Sequence, residues 1–202
     1  MPVRQIVGDP VDNSADWQWT DADREAVAQD LGREPRGVLG VGARSAHGRP
    51  LVVVTAPRLP DGTPCPTTFY LTDADLVTAC SRLEAEHFLD LLAQVLAEDE
   101  DVRALYERAH GDYLARRAHA GTVSGVGNVQ EIEDFSAGGM PTRVKCLHAL
   151  VGHSLVAGPG VNPMGDRALS EIVRRGFAHS SLDGSVWMPN LDQEDSQAEG
   201  EA

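Results

Sequence analysis

Hydrophobic positions along this chain change period several times, and the changes mark out its elements. Residues 36 to 45 and 50 to 56 are short, β-branched and glycine-punctuated, and read as two strands joined at His47-Gly48. A third strand is expected over 67 to 71, and such short connections imply an antiparallel sheet. Spacing then becomes helical. Leu76, Val77, Cys80 and Leu83 form one stripe, Phe88, Leu91, Leu92, Val95 and Leu96 a second, and Val102, Leu105, Tyr106, Ala109, Tyr113 and Leu114 a third. Ser81 either opens a fresh helix or continues the one before it.

Polar residues at the joints sharpen these boundaries. Thr20-Asp21-Ala22-Asp23 resembles a capping box, opening a helix that Gly32 ends. Thr72-Asp73 precedes the second helical region in the same manner. Asn162-Pro163 places a cap residue before a proline suited to the first helical turn, and that helix runs to Arg175 with Gly176 as its stop. Residues 129 to 135 are read as a candidate fourth strand, and Val186 to Met188 as a strand or loop. His110, Tyr113 and Arg117 share a helix face and are expected to form a hydrogen-bonded cluster at the edge of the core.

The segment from Ser136 to Asp166 is the centre of this arrangement. Gly138-Gly139 reads as a flexible approach, Pro141 as a first helical residue, and Gly158-Pro159-Gly160 as the stop. At 100° per residue Met140, Val144, Leu147, Val151 and Leu155 share one apolar face, so a buried helix is expected. Fold class is therefore α+β: a small antiparallel sheet of three to four strands covered by helices, with this helix buried. The domain spans 17 to 189. Residues 1 to 16 and the acidic tail 190 to 202 lack the apolar content to order themselves.

Composition narrows the partners. The 202 residues carry 31 acidic against 17 basic side chains, a formal net charge of −14, which argues against nucleic acid or an anionic membrane surface. Three cysteines without framework spacing, no signal pattern and no apolar run of bilayer length point to the cytoplasm.

Lys145 is the only lysine in the chain. On the expected helix surface it lies beside His148, three residues on, with Gly152 opening space one turn further. Lys145 and His148 are thus the candidate catalytic pair, charged or acid–base in role. Gly138, Gly139 and Arg143 are expected to hold an anion at the helix start. Asn162, Asp166 and Arg58 complete the candidate ligand set, with Asp166 an orienting group.

Cys146, His148 and His153 resemble a metal motif when read linearly, but on an unbroken helix Cys146 and His148 lie about 160° apart. One ion cannot take all three, which leaves only a metal shared with residues elsewhere. Cys146 itself is expected to be a buried, inert thiol.

Several runs carry a family resemblance: Asp61-Gly62-Thr63-Pro64 with Pro66 to Thr72, Ser81-Arg82-Leu83-Glu84-Ala85, and Gly138 to His148 with Gly160-Val161-Asn162-Pro163-Met164-Gly165-Asp166. Over residues 17 to 176 the chain resembles the bacterial domain-of-unknown-function 501 family in its actinobacterial form. That resemblance implies a single cytosolic domain, often encoded near a septum-formation initiator and an exopolyphosphatase-type phosphatase, and implies no activity. Cys65 stands where that family's pattern suggests an aromatic residue, which argues against a role for this thiol.

Two functions follow from these readings. The first is a site for a phosphate- or carboxylate-bearing small molecule, enzymatic or purely binding. The alternative is a non-enzymatic interaction protein linked to cell division or phosphate metabolism, with Lys145 and His148 structural and a protein partner on its acidic surface.

Overall fold

Thr20 and Asp23 cap the first helix reciprocally: the Thr20 hydroxyl accepts from the Asp23 N–H at 3.1 Å, while the Asp23 carboxylate accepts from the Thr20 N–H at 3.0 Å. Helix α1 spans Asp21–Leu31 and ends at Gly32, whose φ of 65° is left-handed. The structure, a computed structural model, describes residues 17–178 and 181–187. The segments expected to be loose, 1 to 16 and 190 to 202, lie outside the described residues.

Strands β1 (Val38–Arg44), β2 (Pro50–Thr55) and β3 (Phe69–Leu71) form an antiparallel sheet in the order β1-β2-β3. Central β2 is buried along its whole length. Helices α2 (Ala74–Ala85), α3 (Phe88–Glu98) and α4 (Glu100–Val123) follow on the three predicted stripes. Ser81 continues α2 rather than opening a new helix. After the loop come α5 (Leu147–Ala157), α6 (Pro163–Arg174) and a short α7 (Gly184–Trp187). No described helix is long and apolar enough to cross a membrane.

Helix α5 is the buried helix of the prediction, packed on the sheet through β3 and flanked by α6 and α2. Gly152 makes that approach feasible: a Cβ there would sit 2.9 Å from the Phe69 carbonyl oxygen.

Three expectations need correction. Residues 129 to 135 hold a 3-10 turn, Gln130–Ile132, not a strand. Arg117 explains it: this buried side chain donates to the carbonyls of Ile132 and Phe135, binding the segment to α4 instead of to a sheet edge. Val186 and Trp187 close a helical turn, neither strand nor loop, and Met188 lies outside the described residues. The central helix starts at Leu147, six residues later than Pro141. The edge cluster on α4 does form: the Tyr113 hydroxyl accepts from the Thr68 N–H at 2.7 Å and donates to the Pro66 carbonyl at 2.9 Å, and His110 Nδ1 meets Ser136 Oγ at 2.9 Å.

The Asp23–Arg44 ion pair joins α1 to the sheet. Arg44 donates to both Asp23 oxygens, at 2.6 and 2.9 Å, and with the Thr20 contacts holds the carboxyl well below the usual carboxylate range. A lowered folded value means stability that is present above the unfolded carboxylate's range and lost as pH falls through the folded one. Asp23→Asn is therefore expected to cost about 2 kcal/mol at neutral pH. The gap to wild type should narrow steadily in urea melts below pH 4, and a gap constant down to pH 2 would contradict the ion pair's role.

Candidate functional site

Everything of chemical interest gathers around residues 138 to 148. Gly138 and Gly139 have φ of 76° and 95°, conformations open to glycine at little cost. The turn they make closes on itself: the Arg143 N–H donates to the Gly139 carbonyl at 3.0 Å and the Lys145 N–H to that of Gly138 at 2.8 Å. A Cβ on Gly138 would meet Leu150 Cδ2 at 2.6 Å, and one on Gly139 the Arg143 carbonyl oxygen at 2.7 Å. Pro141 lies within this turn, after a cis peptide bond.

Cys146 is then extended, with φ −153° and ψ 113°, and serves as the N-cap residue of α5. Lys145 precedes the helix and is exposed. The expected Lys145–His148 neighbourhood on one helix stripe does not form, because an angular step of 100° applies only between helical residues. At the helix start the Leu147 N–H donates to the chain's own Glu84 carboxylate at 2.7 Å.

The two cations of the segment face a groove instead. Between α3, α4 and residues 141 to 145 lies an open cavity of about 730 Å³, its apolar floor including Leu96 and Val144. Arg103, Arg143 and Lys145 line it with a single acid, Glu107. Arg103 is tied by its guanidinium to the Ala97 carbonyl at 2.7 Å, with Glu100 3.8 Å away. Neither Arg143 nor Lys145 forms an ion pair with another described residue. Arg103 carries no sequence signal, since nothing local distinguishes it from fifteen other arginines.

On the α2 side, three groups converge that lie far apart in sequence. His148 Nδ1 is 3.8 Å from Cys146 Sγ and 3.3 Å from Glu84 Oε1. One donor atom from each of Glu84, Cys146 and His148 lies within 4.8 Å of the others. Each residue is partly exposed, with about a quarter of the Glu84 and His148 side chains open to solvent. His148 Nε2 approaches the Val77 carbonyl at 3.2 Å and Ser81 Oγ at 3.3 Å. A carbonyl only accepts, so Nε2 carries a proton and Nδ1 turns towards the thiol and the carboxylate.

These contacts tune both partners. The His148 imidazole holds the Cys146 thiol below its ordinary value against the opposing effect of burial, with the Ala149 N–H at the helix start adding to it. The thiol in turn holds His148 above its ordinary value, helped by the Glu84 charge. Cys146 is half-buried with an imidazole beside it, where the sequence implies a buried thiol. The neighbouring thiol of Cys80 is fully buried and pushed well up by that burial.

The remaining candidates are all engaged by other groups of the chain. Asn162 caps α6, its side-chain oxygen accepting from Met164 and Gly165 N–H at 3.2 and 3.1 Å, while its amide donates to His153 Nδ1 at 3.2 Å. Asp166 is buried and accepts from the Gly160 N–H at 2.7 Å; its carboxyl is pushed up by burial. Arg58 pairs with both Glu131 oxygens at 2.7 Å and donates to the Gly62 carbonyl. None of the three lines the groove.

Glu84 and Ser81 are the site residues that sequence reading did not single out for chemistry. Both lie in one of the runs that carry the family resemblance, and Cys146 and His148 lie in another. The fold brings those two runs together across 62 residues, a distance no local spacing rule reaches. Neither a curated protein nor a solved structure matches the chain. A family described as "Protein of unknown function (DUF501)" matches residues 41–170. That span is well over half of the 202 residues, and the chain belongs to the DUF501 family.

Proposed function

We propose that this protein binds a small amphiphilic anion, a phosphate or carboxylate on an apolar body, in the groove between α3, α4 and residues 141 to 145. The observation that carries this reading is the pairing state of Arg143 and Lys145. In a chain with 31 acids and 17 bases, both cations stand at one cavity without a carboxylate partner among the described residues. Charge-assisted hydrogen bonds from these cations would hold the anionic head, and the apolar floor at Leu96 and Val144 would cover the body. Compared with the sequence reading, Arg143 and Lys145 stay in the site, Arg103 joins it, and His148 leaves it. A cytoplasmic setting accompanies this reading, since the thiols of Cys65, Cys80 and Cys146 are all free.

Lys145 makes a direct assay available. Apart from the terminal amine it is the only primary amine, so acylation read by mass spectrometry reports on the groove. Pyrophosphate, a medium-chain fatty acid and an alkyl phosphate should each be tried as protectants. At least one is expected to slow Lys145 acylation. Arg143→Glu should weaken that protection about tenfold or more, the worth of a charged hydrogen bond. Equal labelling with and without all three, or protection untouched by Arg143→Glu, would remove the anion reading.

A further inference from the structure

The groove leaves the α2 side of the same segment unassigned. There, the geometry points to a zinc-type divalent metal centre formed by Glu84, Cys146 Sγ and His148 Nδ1. This inference is independent of the anion groove, which uses other side chains.

Interatomic spacing is the first argument. Zinc takes sulfur at about 2.3 Å and nitrogen or oxygen at about 2.0 to 2.2 Å, so tetrahedral ligands stand roughly 3.4 to 3.6 Å from one another. The observed separations are 3.8 Å from sulfur to nitrogen and 3.3 Å from nitrogen to oxygen, with all three atoms within 4.8 Å. The sulfur-to-oxygen edge is no longer than 4.8 Å, so binding an ion would draw it in by about 1 Å or less. The sequence argument against a metal treated Cys146 and His148 as helical residues on opposite faces. Because Cys146 is the extended cap residue, both side chains reach one point, and α2 supplies the third ligand.

Ligand orientation is the second argument. A metal-bound histidine commonly donates its other ring N–H to a carbonyl or carboxylate, which fixes the ring. His148 does so through Nε2, 3.2 Å from the Val77 carbonyl, and this leaves Nδ1 as the free ligand atom. Glu84 is held by the Leu147 N–H at 2.7 Å. Thus each of these two ligands already has an outer partner that sets its direction.

Donor chemistry selects the ion. A thiolate, an imidazole and a carboxylate make a borderline set that suits zinc and is too soft for magnesium or calcium. Three protein ligands leave a fourth tetrahedral position for water or a substrate atom, the pattern of catalytic rather than purely structural zinc sites. Partial exposure of Glu84, Cys146 and His148 gives an ion access to the centre.

The test uses the full chain, stripped with a chelator and given metal alone. Cobalt(II) should produce a thiolate-to-cobalt charge-transfer band that saturates at one ion per chain. Zinc should protect Cys146 from iodoacetamide in the wild-type protein while leaving Cys65 reactive, a readout that needs no variant to fold. Glu84→Gln is expected to weaken zinc binding by roughly tenfold or more. The proposal is overturned if zinc leaves Cys146 alkylation unchanged, if it protects Cys65 instead, or if the cobalt band persists in Cys146→Ser.

Discussion

Gly165→Ala should destabilise this protein severely. Gly165 sits in the first turn of α6 where that helix crosses α5. A Cβ there would lie 2.3 Å from the Leu150 carbonyl oxygen, 2.3 Å from Ser154 Oγ and 2.8 Å from the Leu150 carbonyl carbon. Two of those three atoms are backbone of the buried helix and cannot rotate away, so α5 and α6 must separate. Overpacking of a tight core costs about 1 to 3 kcal/mol, more where backbone has to shift, and a cost of about 3 kcal/mol or more is expected here. For a chain of this length that is a drop of roughly 10 °C in melting temperature. Gly111→Ala is the matched control. Gly111 lies mid-helix in α4 and its added Cβ would meet nothing within 4 Å, so the same change there should stabilise by about 0.5 to 1 kcal/mol. Calorimetry of both variants checks the pair; a Gly165→Ala protein melting with the wild type would mean the crossing is looser than described.

Asn162→Ala is expected to cost a comparable amount, about 3 to 5 kcal/mol. Its side chain is fully buried and performs three tasks at once. Removal strips the acceptor from the Met164 and Gly165 N–H groups and the donor from His153 Nδ1, each left in a place water does not reach. A stranded buried polar group costs about 1 to 3 kcal/mol, and the three losses are not additive.

Asn162→Asp separates the cap from the histidine. It keeps an acceptor for α6 but turns a second carboxylate oxygen towards His153 Nδ1. In the wild type, burial holds His153 below its ordinary value, with Asp112 on Nε2 at 2.8 Å opposing and nearby Arg116 adding to the lowering. A lowered histidine loses stability as pH falls below the unfolded value of about 6.5, by at most about 1.4 kcal/mol per pH unit. In Asn162→Asp the ring must carry a proton to meet the new carboxylate, so its folded value rises and the slope changes sign. That variant should be less damaged at pH 5.5 than at pH 8 when urea midpoints are compared. The same penalty at both pH values would show that His153 Nδ1 does not face residue 162.

Much of this architecture could be read from local sequence because local chemistry determines it. Thr20 with Asp23, and Asn162 with Pro163, announce their helices through groups three residues apart or fewer, and both caps form. The stripes of α2, α3 and α4 follow from periodicity alone. The start of α5 is not legible in the sequence, because Met140 and Val144 fall at helical angles while packing on the core from a loop. Apolar spacing reports what is buried, not which backbone conformation buries it. That one boundary moved the candidate chemistry. It paired Lys145 with His148, set Cys146 on the wrong face, and concealed that residue 84 supplies the partner of residues 146 and 148.

Because α5 fills the centre from late in the sequence, synthesis order matters to this chain. The sheet is complete by residue 71, yet the helix that covers β3 begins at residue 147, and its partner α6 ends at 174. Until a ribosome has released that far, the emerging chain holds an apolar sheet with its main cover still inside the exit tunnel. A truncation before Leu147 would keep every strand and still lack the middle of its core, leaving a surface for chaperones to shield rather than a smaller folded protein.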